Sequence, residues 1–381
     1  MGKIISAIAD FFRLTDKLLL TLCISASLLG SFMVLSATNH TGSTRQFWVQ
    51  LVCLCIGLFV LAFASGFVDY SVYTRFWPLI MGVALILVGL TFVIGFAPEG
   101  TDDKAWLRLP IGMTFQPSEL LKIAFIITFA KHVSTVEKKI NKLRNIIALC
   151  IHGAFPVILI HIQGDDGTAL VLAIIFVAMI FASGIKARYF VIAGSLAAAF
   201  LPLLWYVIFN NDQRSRFLTI FNPEADIYGS GWQQWRGRLA IANGGIFGQG
   251  YMQGDFVQAD QIPEGHNDFI FASIGEELGL VGLIIVMTLL TAICIKILFV
   301  AHRARDKQGV IICTGVFAMI AIQSILNIGM CLSWAPVIGI TLPFFSAGGT
   351  SLVVTFIGIA LVCNVYMHRQ QNITYLREDY I

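Results

Sequence analysis

Apolar stretches of about 20 residues, each long enough to cross a ~30 Å hydrocarbon layer as a helix, recur along nearly the whole chain between polar connections. Read in windows of that length, they place spans near 17–37, 47–66, 76–96, 118–134, 145–163, 167–185, 188–210, 268–300, 309–331 and 350–367. The expected architecture is an all-α polytopic membrane protein with about ten transmembrane helices, a single domain over residues 1–381. The eighth run is longer than a bilayer requires, so part of it should tilt or project. Between the seventh and eighth spans lies a large connection, about 211–267. Its stretch "WQQWRGRLAIANGGIFGQG" has a helix-compatible apolar centre followed by glycine punctuation, which predicts an ordered, partly helical loop.

Hydrophobic residues make up 57% of the 381 and charged residues 12%, against roughly 25% charged in a soluble domain, so no separate soluble domain is left over. The net charge of +3 is small and scattered among short connections, which argues against nucleic acid as a partner. The basic residues do have a side. With a cytoplasmic N-terminus, the inside segments include "VEKKINKLRN", "KAR", "HRARDKQG" and the tail after Met367, and they hold about twice as many Lys and Arg as the outside ones. Both termini then face the cytoplasm, and 97–117, 211–267 and 332–349 lie outside. The eight cysteines fall in or beside apolar runs with no C-x-x-C, which points to packing rather than disulfides or zinc. The start "MGKIISAIADFFRLTDK" lacks the pattern of a cleaved signal peptide, and a chain with this many spans needs no myristoyl anchor despite its Met-Gly.

A charge in or beside the bilayer costs roughly 2.5–3.5 kcal/mol on insertion scales, so each one asks for a reason. Glu119 and Lys122 share a helical face and can neutralise each other. Asp165 and Asp166 occupy the turn between spans five and six, where an ordinary turn role competes with a chemical one. At the entry to span eight stand His266, Asn267 and Asp268, with Glu276 and Glu277 about 12 Å further along it. Asn267 or Asp268 is also placed to cap that helix. Lys296 can snorkel to the cytoplasmic interface. Arg214, Arg216, Arg236 and Arg238 form a basic cluster on the long outer connection, suited to an anionic head group or to a solvated rim. These groups gather on the outer side, and one polar cavity opening outward would account for them together.

The segments "FQPSELLK", "GDDGTAL", "RFLTIFNPEAD", "LAIANGGIFGQG", "IPEGHNDFIFASIGEELGLVG" and "LPFFSAGGTSL" resemble, in order and spacing, the motif series of the SEDS (shape, elongation, division and sporulation) proteins typified by RodA and FtsW. The resemblance implies a ten-helix fold in the bacterial cytoplasmic membrane and peptidoglycan glycosyltransferase activity. It implies lipid II as substrate, β-1,4-linked glycan as product and a class B penicillin-binding protein as partner through its transmembrane helix, within the surrounding membrane lipids. It places the essential acidic residue on Asp268, the outer tryptophan on Trp106, and the acidic and basic residues of the F-Q-P-S-E motif on Glu119 and Lys122. Three positions depart from the usual pattern: Gly164 replaces a proline before Asp165, Ala347 a tyrosine and Asn267 a threonine.

Pyrophosphate is already a good leaving group, so such a reaction needs a base for the acceptor hydroxyl and positive charge for the departing diphosphate. Asp268 suits the first task. Arg236 and Arg238, beside aromatic residues, suit the second. Substrate contacts are expected from Trp106, Glu119, Lys122, Asp165, Arg236, Arg238, His266, Glu276 and Glu277, the last two lining or bracing the cavity, against Lys122 if it is near. A divalent cation, Mg²⁺ or Mn²⁺, can share the work through Asp268 or Asp165, although no pattern forms a dedicated cage. Two rival readings are a lipid II transporter, which the lack of an internal repeat disfavours, and a non-catalytic scaffold. Short tails favour an elongation role over a division protein with long cytoplasmic extensions, and division and sporulation members are the alternatives within the family.

Overall fold

The computed structural model describes residues 13–97, 104–108, 114–209, 211–221 and 229–369, and they form a polytopic bundle that is almost entirely helical. The first residues of the chain and most of the basic tail after Met367, both expected on the cytoplasmic side, lie outside the described residues. The expected spans are present as helices α1 (Lys17–Ala37), α2 (Arg45–Phe67), the short α3 (Tyr70–Arg75) leading into α4 (Trp77–Ile94), α5 (Pro117–Val136), α6 (Leu143–Gln163), α7 (Asp166–Ser183) and α8 (Ala187–Leu203). After the long connection, which supplies α9 (Asn211–Phe221), α10 (Ser230–Gly244) and α11 (Asp255–Gln258), come α12 (Ile270–His302), α13 (Lys307–Cys331) and α14 (Gly349–His368). Among the described residues nine helices are long and apolar enough to cross a membrane.

The expected span at 118–134 is the exception, and burial explains it. Helix α5 carries Glu119, Lys122 and Lys131, yet most of its 20 residues are buried by neighbouring helices. A helix surrounded by protein need not be apolar, because its polar groups meet partners rather than lipid. Helix α8 is the opposite case: none of its residues is buried. Past Pro202 it loosens into a π turn over Leu204–Ile208, whose carbonyls at Trp205 and Tyr206 accept hydrogen bonds from the Arg214 guanidinium at 2.8 and 2.9 Å.

The long eighth run is not one straight helix. Gly279 interrupts α12 with φ 65° and ψ −164°, a conformation closed to other residues. The break frees backbone groups that a membrane-level helix cannot leave unpaired. The glycine-rich connection after α10 pairs them: Gln249 and Gly250 N–H donate to the carbonyls of Glu276 and Glu277 at 3.0 Å each. In return Leu280 and Val281 N–H donate to the carbonyls of Gly245 and Ile246, at 3.0 and 3.2 Å. The part after the break, about 34 Å long at 1.5 Å per residue, suffices to cross the bilayer alone. Glu276 and Glu277 therefore lie in the short segment before the break, outside the part long enough to cross.

At the other end of the bundle, Lys296 does not simply snorkel. Its ammonium pairs at 2.7 Å with Asp16, a buried carboxylate that also caps α1 through Leu19 N–H. The Arg305 guanidinium grips both oxygens of Asp69, at 3.0 and 3.1 Å, and so ties the α12–α13 connection to the start of α3. All eight cysteines are unpaired; Cys55 and Cys150 are exposed, and five of the others are buried.

Candidate functional site

Residues 333–348, the connection from α13 to α14, form a hub onto which the 266–268 segment and the turn after α6 pack. The Asn327 amide donates to two carbonyls at once, Asp268 O at 2.8 Å and Ile340 O at 2.7 Å. Ala347 N–H donates to His266 O at 2.9 Å, and the Ser346 hydroxyl donates to Asn267 O at 2.8 Å. Gln50 from α2 donates to Ser346 O at 2.9 Å, and Gln234 from α10 donates to Ala335 O at 2.7 Å. The 266–268 segment is thus fixed by its backbone, without use of the Asp268 side chain.

Two carboxylate segments flank successive residues of this hub. A Cβ on Gly339, whose φ is +65°, would lie 3.7 Å from Asp268 Oδ2, and one on Gly167 would lie 2.3 Å from Ile338 O. The turn bearing Asp165 and the segment bearing Asp268 therefore meet at one loop. A two-stranded hairpin, β1 (Leu107–Arg108) with β2 (Thr114–Phe115), joins the same region through the Thr350 hydroxyl, which donates to Thr114 O at 3.0 Å. Trp106, half-buried, precedes the hairpin and accepts from Phe96 N–H at 2.9 Å.

The carboxylates differ sharply in what holds them. Glu276 is fully buried and accepts hydrogen bonds from Phe256 N–H and Val257 N–H, both at 2.8 Å, and from the Asn243 amide at 2.9 Å. Glu277, also buried, accepts from the Ser36 hydroxyl at 2.6 Å and the Gln258 amide at 3.0 Å. Asp165 caps α7 through Thr168 N–H at 2.9 Å and takes bonds from Gln116 and Ser118 at 2.8 and 3.2 Å. Glu119 pairs with Lys122 at 2.7 Å, the lysine being almost completely buried. The expected contact of Glu276 and Glu277 with Lys122 is not formed, and these two glutamates brace the long connection instead of facing a cavity beside Asp268. Each of these groups already has protein partners among the described residues.

Asp268 has none. Helix α12 starts at Ile270 with Phe269 as its N-cap and no side-chain cap bond, so neither Asn267 nor Asp268 serves as the cap. Asn267 instead donates to the Glu264 carboxylate at 2.7 Å. Among the described residues no hydrogen bond or ion pair reaches the half-buried Asp268 carboxyl. Burial, with the Glu264 charge adding to it, pushes its pKa up to about 7. Beside it His266 approaches the Gln46 amide at 3.2 Å, and burial holds its imidazole below the usual value.

The arginines separate too. Arg236 lies over the rings of Trp232, Phe256 and Trp235, at 4.4, 5.6 and 5.7 Å, and donates to Gln261 at 3.1 Å. Its Nε is buried with no partner among the described residues. The next residue, Gly237, packs on Phe269, where a Cβ would sit 3.0 Å from the ring, so α10 carries Arg236 to the neighbour of Asp268. Arg238 is exposed and, among the described residues, has no ring or polar partner; the aromatic seat expected for both belongs to Arg236 alone. Arg214 is occupied by the π turn and Arg216 is exposed. No group of three or more His, Cys, Asp or Glu among the described residues is arranged to hold a metal ion.

Sequence reasoning passed over the amides. Gln50 and Asn327, each nearly or wholly buried within apolar runs, fix the hub; their cost inside a membrane span was the available signal.

The chain matches the family model of FtsW, RodA and SpoVE, described as cell cycle protein, over residues 15–371. It is 33% identical over 317 residues to the peptidoglycan glycosyltransferase MrdB of Escherichia coli K12, covering 83% of this chain and 84% of that protein. It is 31% identical over 363 residues to a probable peptidoglycan glycosyltransferase FtsW of Geobacter sulfurreducens, covering 92% and 94%. Among solved structures, one described as showing structural coordination of polymerization and crosslinking by a peptidoglycan synthase complex aligns with a TM-score of 0.80 at 25% identity, covering 94% of this chain and 99% of that one. The crystal structure of the rod shape determining protein RodA of Thermus thermophilus aligns at 0.69 and 24% identity, covering 94% and 98%, a likeness of fold.

Proposed function

Because the chain belongs to the FtsW, RodA and SpoVE family of cell cycle proteins, we propose that it is a peptidoglycan glycosyltransferase that polymerises lipid II, with Asp268 as general base. The relatives' activity supports the reaction class. The observation that carries the assignment of Asp268 is its freedom: alone among the candidate carboxylates it receives no hydrogen bond from the described residues.

The reaction follows from what each group can do. The Asp268 carboxylate removes the proton from the acceptor sugar hydroxyl as that oxygen bonds to the donor's anomeric carbon. The bond from that carbon to the diphosphate oxygen breaks with inversion, and its electron pair leaves on undecaprenyl pyrophosphate. A pKa near 7 is suited to this task, since the base is then substantially ionised at neutral pH and still basic enough to accept a proton. Arg236, pinned among three aromatic rings, offers fixed positive charge to the departing diphosphate. Trp106 and His266, the latter beside the Gln46 amide, contact the sugars or peptide, whereas Glu119, Lys122, Asp165, Glu276 and Glu277 hold the frame. The end of the bundle carrying Asp268 faces outward from the bacterial cytoplasmic membrane, with both termini cytoplasmic. A class B penicillin-binding protein, docking by its transmembrane helix, crosslinks the product.

Purified protein reconstituted with lipid II should yield glycan polymer, detectable on a gel after labelling. Lipid II carried across the bilayer without polymer would replace this reading with a transporter, and neither activity would leave a scaffold.

A further inference from the structure

A second set of titratable groups lies far from Asp268 and takes no part in the reaction above. Helix α5 begins beside Asp165 and ends at Val136, so Lys131, His132 and Thr135 lie toward the opposite end of the bundle. There they line a cavity of about 450 Å³ with Thr128 of the same helix, His152 of α6 and Trp77 at the start of α4.

The hydrogen bonds fix which atoms are left over. The Thr128 hydroxyl donates to Phe125 O at 3.2 Å, so it accepts from His152 Nε2–H, also 3.2 Å away. His152 Nδ1 is then the acceptor for His132 Nδ1–H at 3.0 Å. Among the described residues this chain leaves His132 Nε2 without a protein partner, and the Lys131 ammonium has none either. A lysine and an imidazole nitrogen, both lining a cavity between helices, are costly in a membrane protein unless something fills their valence. The connection that follows α5 and the first turn of α6 add exposed Lys138, Lys139, Lys142 and Arg144 against one acid, Glu137. Leu143, Ile147 and Ile151, four residues apart on one face of α6, are exposed and suit acyl chains, and the exposed part of Trp77 suits the interface.

We propose that this cavity is a separate binding site for an anionic lipid headgroup, its phosphate held by Lys131 and a headgroup hydroxyl donating to His132 Nε2, with the acyl chains lying along α6. The bound lipid fills the gap between α4, α5 and α6 and ties three helices together at the end remote from the reaction.

Native mass spectrometry of the purified full chain in detergent, mixed with equal amounts of dioleoylphosphatidylglycerol and dioleoylphosphatidylcholine, tests this. The wild type should retain the anionic lipid preferentially. Lys131→Gln combined with His132→Gln should lower that preference roughly fivefold or more, and Lys131→Arg, which keeps the charge, should preserve most of it. If the double variant does not purify, Lys131→Gln alone gives the same comparison. No preference in the wild type, or an unchanged preference in the variants, overturns the proposal. Glycerol 3-phosphate retained as well as the lipid would assign the site to soluble phosphate esters and overturn it too. Neither residue belongs to the reaction site, so lipid II polymerisation by the double variant should stay within about twofold of wild type, which also verifies its fold.

Discussion

Asp268→Asn is expected to reduce lipid II polymerisation by roughly 10²–10⁴-fold, the span that a positioned general base contributes, while leaving the protein folded. The two halves of this expectation rest on different atoms. Activity rests on the carboxylate, and an amide of the same shape cannot take a proton from a hydroxyl. Folding rests on the backbone: Asn327 holds Asp268 through its carbonyl, and no described residue bonds to the side chain. Thermal unfolding in detergent should therefore show a melting temperature equal to or slightly above wild type, since a carboxylate near Glu264 has been neutralised. A variant that unfolds easily would mean that the side chain is structural after all.

Lys122→Ala is expected to do the reverse and cost about 3–5 kcal/mol of stability, the usual penalty for leaving one half of a buried ion pair behind. The Lys122 ammonium is 2.7 Å from Glu119 in the most enclosed helix of the bundle, so its removal strands a carboxylate among packed side chains. Replacing both, as Glu119→Gln with Lys122→Met, should restore most of the lost stability, and unfolding monitored by intrinsic fluorescence would show it. The double variant also separates two roles. Polymerisation that returns with the fold makes the pair a pin between helices; a folded but inactive double variant makes it a substrate contact, as the resemblance implied.

The spans were legible because a ~30 Å hydrocarbon layer imposes a length on every lipid-facing helix. Helix α5 shows the limit of that rule: a helix enclosed by protein can carry charges, and its span was read only because the apolar run from Ile123 to Ala130 lies between its charged positions. The break at Gly279 was not legible. One glycine in an apolar run carries no mark of its φ, and the partner that satisfies the break lies some 30 residues earlier, a non-local pairing. The site was half legible for a similar reason. Charge in an apolar context pointed to Asp268, Glu276 and Glu277 alike, because the cost of burial is the same before partners are known. Only the fold distributes the donors, giving three to Glu276 and, among the described residues, none to Asp268. Arg236 and Arg238, two residues apart on one helix, likewise read as equals until their different faces met or missed the aromatic rings.

The most direct measurement is the rate of lipid II polymerisation by the wild-type protein as a function of pH, at saturating substrate. A base must be ionised to act, so the rate should climb roughly tenfold per pH unit on the acid side and level off above an apparent pKa of about 7. A rate that is flat from well below to well above that value, or one that falls as the carboxylate ionises, would contradict proton removal by Asp268.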